Sequence, residues 1–156
     1  MALVDTVSIN TEAPATASAE LLIGAPVEVV WSTLADIDSW PEWNPDVASA
    51  HVHGDLVRGT AFSWKAGGMS IESRLEEVSA PTRLAWSGAT LGTRAIHVSR
   101  FAAEGNQTRA VTEESFEGLL PWLLRIPMRK MLAQSLSSGL AALKMESERR
   151  CRNGAT

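Results

Sequence analysis

The residues best suited to chemistry fall on two late segments whose polarity alternates as in β-strands. In 94–101, Arg94 shares a face with the apolar Ile96 and Val98, whereas His97 lies on the opposite face. Because the first face is the more apolar, it predicts that Arg94 points inward near one end of the strand. The other register would bring His97 inward, and the sequence leaves both registers open.

The second segment, 111–116, carries Glu113 and Glu114 on opposite faces, so one of the two carboxylates must point into the interior. A buried carboxylate without a partner is costly. Arg94 is the predicted partner across neighbouring strands, and such a pair would orient or polarise a carbonyl-rich ligand. We therefore predict Arg94 and Glu113 as catalytic residues. In the alternative, both glutamates, Arg94 and His97 lie on the rim or the outer face.

Large apolar side chains in the other segments predict the walls of a binding site. They recur at every second position of a strand, and therefore on one face, as Phe62 with Trp64 and Leu84 with Trp86. In addition, prolines on either side of Trp43 predict a kinked connection that displays two tryptophans. The same positions would also suit a plain core. The predicted ligand-binding set is Trp40, Trp43, Phe62, Trp64, Met69, Ile71, Ser73, Trp86, Val98, Val111, Met131 and Ser135.

Other kinds of site have little support in the sequence. His51 and His53 would share a strand face, but no third ligand stands at a suitable spacing, so we predict no metal site and no cofactor. A net charge of −4 argues against a nucleic-acid surface, and a single cysteine, Cys151, excludes an internal disulfide framework. We see no signal peptide and no run long enough to span a bilayer, which predicts a cytoplasmic protein.

The elements that must position these residues are mostly strands with short connections. Gly67-Gly68 is a strong signal for a two-residue hairpin, and further turn residues stand at 80–82 and 104–106. Consecutive strands with such short connections must be antiparallel neighbours. We predict a first helix near 26–36, a short helical turn near 39–43, and strands near 16–23, 47–53, 60–66, 69–78, 83–88, 93–103 and 108–117.

One long helix, from Pro127 to about Arg150, closes the domain. Its leucines and methionines follow the three-and-four spacing of one helical face, with Ser135 and Gly139 leaving that face thin in the middle. A thin face would let a ligand or another surface approach. The chain thus divides into a loose segment at 1–14, one domain at 15–150 and a tail at 151–156.

This order of elements, together with Ala25-Pro26-Val27-Glu28-Val29-Val30-Trp31 and Asp38-Ser39-Trp40-Pro41-Glu42-Trp43-Asn44-Pro45, resembles the START-like, helix-grip superfamily. Within it, the chain is most similar to the bacterial polyketide cyclase/dehydratase and lipid transport group. The resemblance implies an α+β helix-grip fold, in which a curved antiparallel sheet of about seven strands wraps the long C-terminal helix. It also implies a deep, mostly apolar cavity and a hydrophobic ligand.

The resemblance leaves the activity open. Cyclase relatives place several polar groups on inward strand positions, whereas this chain has mostly Ile71, Ser73, Leu75 and Trp86 there. The leading hypothesis is a monomeric or homodimeric protein that binds a polyketide-like or aromatic molecule and acts as a cofactor-free cyclase or dehydratase. The alternatives are a carrier without chemistry and, third, a protein that binds client proteins through an exposed apolar groove.

Overall fold

A seven-stranded antiparallel sheet forms most of the molecule, as seen in a computed structural model that describes residues 6–154. Its strand order is β1-β7-β6-β5-β4-β3-β2, so β1 lies beside β7 and the remaining strands follow as consecutive neighbours. The predicted fold class and element order are confirmed. The strands are β1 Ala15–Ile23, β2 Val47–Val52, β3 Ala61–Ala66, β4 Met69–Ser79, β5 Arg83–Thr90, β6 Thr93–Glu104 and β7 Gln107–Glu117.

Strand register decides which side chains face the helix. Trp86 lies opposite His97, and His97 lies opposite Glu114, so these three residues share one row of the inner face. The neighbouring residues of the same strands necessarily point to the outer face. A bulge in β4 between Leu75 and Glu77 shifts the alternation there by one residue.

The long helix, α4 Arg125–Gly154, packs its buried stripe against β1 and β7. At 1.5 Å per residue its 30 residues extend over about 45 Å. It begins two residues before Pro127, which is tolerated because the first-turn N–H groups have no helical acceptor. It also continues past Arg150, so residues 151–154 of the predicted tail are helical. The buried leucines of the stripe are Leu132, Leu136, Leu140 and Leu143.

Two short helices close one end of the space between α4 and the sheet. They are α1 Val27–Ala35 and α2 Trp40–Trp43, which are linked by a 3₁₀ turn at Ile37–Ser39. The Trp31 indole N–H donates to the Arg83 carbonyl, which fixes α1 against the sheet. The helices predicted near 26–36 and 39–43 are therefore present at the expected end.

The N-terminal segment crosses the outer face of the sheet. The Val7 amide donates to the Glu77 carboxylate, and the Asn10 amide donates to the Ser115 hydroxyl. These bonds explain why Val98 and Ser115 are buried although they point away from α4. The segment predicted as loose at 1–14 is thus attached from Val7 onward, and residues 1–5 lie outside the described part of the chain.

Glycine determines the exit from the last strand into α3 Leu119–Leu123. Gly118 has φ 119°, and a Cβ there would come within 2.5 Å of the Gly92 carbonyl oxygen. Only glycine allows both the backbone conformation and this close approach. The start of α3 is therefore held against the β5–β6 turn.

Candidate functional site

An aromatic cluster fills the inner face beside α2. Ring centroids of Trp40 lie 5.7 Å from Phe62, 5.4 Å from Trp64 and 5.4 Å from Trp86, in edge-to-face or tilted arrangements. Trp40 is 3% exposed, and its indole N–H donates to the Leu34 carbonyl at 2.8 Å. Such contacts stabilise a packed cluster. The structure thus brings Trp40, Trp64 and Trp86 together, and Trp40 lies inside the packing.

His97 and Glu114 form the ionisable part of the inner face. The His97 ring stacks on Trp86 at 4.1 Å with an interplanar angle of 6°. Its Nδ1 lies 3.4 Å from Glu114 Oε2, and its Nε2 shares a hydrogen bond of 2.9 Å with Thr112 Oγ1. Both side chains keep a small exposed fraction, 13% for His97 and 15% for Glu114. Both ring nitrogens of His97 therefore face a polar group of the protein.

Next to this pair, residues with short side chains form a shallow depression in the inner face of the sheet. Ser73, Gly88 and Ala95 lie side by side across β4, β5 and β6. The Trp64 indole N–H donates to Ser73 Oγ at 3.1 Å, which fixes the plane of that ring. We define the inner strip as the partly exposed inner-face residues at this end of the sheet, namely Trp64, Ile71, His97, Glu114 and Phe116.

The predicted catalytic pair lies on the other side of the sheet. Arg94 stands opposite Ala89 and Glu117 on the outer face, and Glu113 forms an ion pair with Arg100 at 3.1 Å. The structure therefore does not bring Arg94 and Glu113 together or place them toward α4. The physical reason is that β6 pairs in the register that directs His97 inward, while the N-terminal segment covers the apolar Val98.

The predicted ligand-binding residues divide into three groups. Phe62, Trp64, Ile71, Ser73 and Trp86 lie on the inner face near the cluster and the inner strip. Val98 and Val111 instead point to the outer face, contrary to their predicted place. The remaining residues differ in burial, because Trp40 is buried in the cluster, Trp43 is half-buried beside α4, and the other three are exposed, namely Met69, Met131 and Ser135.

Two surface hollows are lined by residues outside the inner strip, and Ser73 and Gly88 also border the first of them. One, of about 300 Å³, opens on the outer face between Glu72, Arg74 and Arg94. The other, of about 480 Å³, runs between Trp43 and the C-terminal half of α4 near Met145. Neither is lined by His97 or Glu114, so the inner strip remains the place where aromatic and ionisable groups converge.

Ion pairs elsewhere on the molecule have a structural role. Hydrogen bonds from Arg149, opposed by burial and assisted by Arg150, lower the pKa of Glu146 to about 2. The Lys144 ammonium and the Gly24 amide lower the pKa of Glu148, which ties α4 to the end of β1. Burial acts to raise the pKa of Glu76, but hydrogen bonds from Ser87 and Arg74 lower it overall.

His51, near the end of β2, and His53, one residue beyond that strand, lie side by side. The His51 and His53 rings meet edge to face at 5.0 Å, and His53 Nε2 instead contacts Ser63 Oγ at 2.8 Å. Within residues 6–154, no three His, Cys, Asp or Glu side chains are grouped to hold an ion. Over the same residues, no helix combines the length and apolar character needed to cross a membrane.

Sequence reasoning named His97 and Glu114 only as the second choice in each strand. Ser99 and Thr112 lie on the same strand faces as His97 and Glu114, and their hydroxyls hydrogen-bond to His97 or to one another. This run of polar side chains on one face was the signal that could have identified the pair. Phe116 was also missed, although it stands two residues from Glu114 and therefore on the same face.

The curved sheet, the long helix and the inner aromatic face together define a START-like, helix-grip protein. The family model described as "Polyketide cyclase / dehydrase and lipid transport" matches residues 14–148. The chain belongs to this family. Comparison with curated proteins gave no match.

Solved structures share the fold over most of the chain. A hypothetical protein of Helicobacter pylori is 21% identical, with a TM-score of 0.77 over 94% of this chain and 99% of that one. A START superfamily protein of Mycobacterium smegmatis is 15% identical, with a TM-score of 0.74 over 86% and 97%. A Streptomyces aromatase/cyclase is 17% identical, with a TM-score of 0.73 over 86% and 94%. At these identities the similarity shows the fold.

Proposed function

We propose that this protein binds a polyketide-like or otherwise aromatic small molecule on its inner strip. The observation that supports this most directly is the convergence of Trp64, Ile71 and Phe116 around a low floor of Ser73 and Gly88, all at one end of the sheet. Flat apolar side chains offer stacking area to an unsaturated ligand, and the few polar groups set its orientation. Family membership is consistent with a hydrophobic ligand.

We further propose that His97 and Glu114 catalyse a cyclisation or dehydration without a cofactor. His97 would remove a proton from the carbon beside a ligand carbonyl, leaving the electron pair as an enolate. Collapse of the enolate expels the β-hydroxyl group of the ligand, which takes the proton back from His97 and leaves as water. Glu114 and Trp86 are positioned to fix the imidazole, and general acid–base catalysis of this kind contributes about 10²–10⁴-fold in rate.

The second candidate is a lipid or small-molecule carrier without chemistry. It is favoured by the partners of His97, because Glu114 and Thr112 already engage its two ring nitrogens. A histidine that is fully engaged can serve simply to hold neighbouring strands together. The two candidates share the ligand site and differ only in whether His97 exchanges a proton with the ligand.

The test separates binding from turnover. Saturable binding of a hydroxyanthraquinone would be measured beside dehydration of a linear poly-β-ketone analogue, followed by mass spectrometry. For an enzyme, His97→Gln and Glu114→Gln are expected to lower kcat about a hundredfold or more while the Kd of the probe changes by a few-fold. Arg94→Gln and Glu113→Gln, on the outer face, are expected to leave both quantities unchanged.

The outcomes discriminate the candidates. Saturable binding with no turnover in the wild type, or turnover unaffected by His97→Gln, would contradict the enzyme proposal and support the carrier. Absence of saturable binding would remove both. Loss of turnover in the Arg94 and Glu113 variants alone would restore the assignment made from the sequence.

We propose a cytoplasmic protein that works as a monomer or homodimer, with no nucleic-acid partner. The support is the net charge of −4 together with the family's association with small molecules. Sedimentation of the purified chain would measure the oligomeric state directly.

A further inference from the structure

A ridge of apolar side chains projects into solvent where β7 passes into the C-terminal helices. Trp122 is 60% exposed and shares a face of α3 with the exposed Leu119 and Leu123, and Ile126, which is 75% exposed, follows at the start of α4. In α3 this face is turned away from the buried Pro121. We call Leu119, Trp122, Leu123 and Ile126 the α3 ridge.

The charged residues that follow the ridge are all positive, and the carboxylate before it, Glu117, accepts a hydrogen bond from Asn10 Nδ2. All 18 Asp and Glu residues of the chain lie outside 118–145, whereas Arg125, Arg129 and Lys130 follow the ridge directly. All three cations are exposed, and Arg129 Nε donates to the Pro14 carbonyl. A protein with a net charge of −4 therefore carries a cationic, apolar pole.

A further exposed apolar residue, Leu91 in the β5–β6 turn, lies beside the ridge. Leu91 is 89% exposed, and a Cβ on its neighbour Gly92 would lie 3.4 Å from Leu120 Cβ. The contact of Gly118 with Gly92 holds this turn and α3 together as one surface. The inner strip lies at the same end of the sheet, because β7 ends and β6 begins there.

We propose that the α3 ridge and Leu91 dock on the surface of an anionic phospholipid bilayer, with Arg125, Arg129 and Lys130 at the phosphates. Exposed Trp, Leu and Ile beside unneutralised Arg and Lys is the composition of interfacial membrane segments, in which apolar burial and headgroup attraction add. The absence of acidic residues from 118–145 favours this occupant, because an anionic bilayer would repel carboxylates. The proposal does not depend on which molecule the inner strip binds.

Vesicle flotation of the full chain tests the proposal. The wild type is expected to float with vesicles of phosphatidylcholine and phosphatidylglycerol and to stay below vesicles of phosphatidylcholine alone. Binding should fall about tenfold or more in the pair Trp122→Ser, Ile126→Ser and in the pair Arg125→Gln, Lys130→Gln. It should also weaken as salt is raised, since screening acts on the headgroup contacts.

Matched controls lie at the opposite end of α4. Met145 is 74% exposed, so Met145→Ser removes a similar apolar side chain, and Arg152→Gln removes a similar charge. Both should bind vesicles as the wild type does, and thermal unfolding should confirm that every variant is folded.

Three results would overturn the proposal. The first is wild-type chain that fails to float with anionic vesicles or floats equally with neutral ones. The second is an equal loss of binding in the Met145 and Arg152 controls. The third is self-association by sedimentation that Trp122→Ser abolishes in a chain that does not bind vesicles, because the ridge would then join two copies of the protein.

Discussion

Three side chains surround the His97 ring and leave only a small part of it exposed to solvent. Trp86 covers one ring face, Glu114 lies beside Nδ1 and Thr112 bonds to Nε2. These contacts fix the ring plane and the direction of both nitrogens, which is the positioning that proton transfer requires. The same contacts would equally stabilise a structural histidine, and for that reason turnover and binding must be measured separately.

The sharpest pH dependence at the residue scale is expected from Glu146. Its carboxylate accepts hydrogen bonds from Arg149 and from Arg150, and Arg150 also reaches Asp36 at 3.6 Å. Because the folded-state pKa of Glu146 is lowered to about 2 from an ordinary 4.5, its stabilising contribution is complete above about pH 4.5. That contribution is lost as the pH falls from 4.5 toward 2.

Glu146→Gln should therefore lower the free energy of unfolding by roughly 1–3 kcal/mol at pH 7. The difference from the wild type should shrink as the pH approaches 2, as measured by urea unfolding at several pH values. Glu12→Gln, at an exposed carboxylate, is the matched control and should have little effect. A difference for Glu146→Gln that is constant across this range would contradict the assigned ion pairs.

Single residues were the least predictable part of the site. Arg94 and Glu113 were chosen because Ile96 and Val98 made their face look like the interior. The N-terminal segment covers Val98 from outside, so apolar residues occur on both faces of β6. Alternation alone cannot distinguish the two faces when a local covering of this kind buries the outer one.

At the scale of elements, α4 depends on a narrow stripe. Its four leucines are each 1–4% exposed, whereas Met131 and Ser135 on the adjacent face lie open to solvent. Ser135 was predicted to share the face of the stripe, but it lies beside the stripe in solvent, whereas a Cβ on Gly139 would lie 4.0 Å from Asn44 Nδ2 of the α2 connection. The stripe packs the helix mainly against β1, with further contacts to β7 and α1.

Leu136→Asp should unfold the domain. The side chain is 4% exposed in the middle of the stripe, and a lone carboxylate there would have no partner, at a cost of roughly 4 kcal/mol or more. Ser137→Asp, one position along and exposed, is the control and should keep nearly the wild-type thermal midpoint. A Leu136→Asp variant that melts with the wild type would show that the stripe does not pack against the sheet.

Elements were predictable where their signals are local. The Gly67-Gly68 hairpin and the leucine spacing of α4 depend on neighbouring residues, and both are present as predicted. The attachment of Val7 to Glu77 was not predictable, because it joins residues 70 positions apart. Contacts of this length follow from the assembled fold and leave no local pattern.

At the scale of the whole molecule, two surfaces lie at one end of the sheet. The inner strip faces α4, and the α3 ridge faces solvent beside Gly118. The family and fold were predictable, because the order of elements and the Trp40-Pro41 motif extend over nearly the whole chain. The proposed division between a ligand site and a membrane-docking pole could not be predicted from the sequence, because it depends on which apolar residues remain exposed after folding.

The six tryptophans provide internal probes for whether the inner strip binds a flat hydrophobic molecule. Their indole N–H signals would be followed by NMR while a hydroxyanthraquinone is added, with each signal assigned by Trp→Phe substitution. We predict saturable shifts at Trp64 and Trp86 with a common Kd, and none at Trp31. Saturable shifts confined to Trp122 or Trp43, or no saturable shift at any of the six, would contradict this prediction.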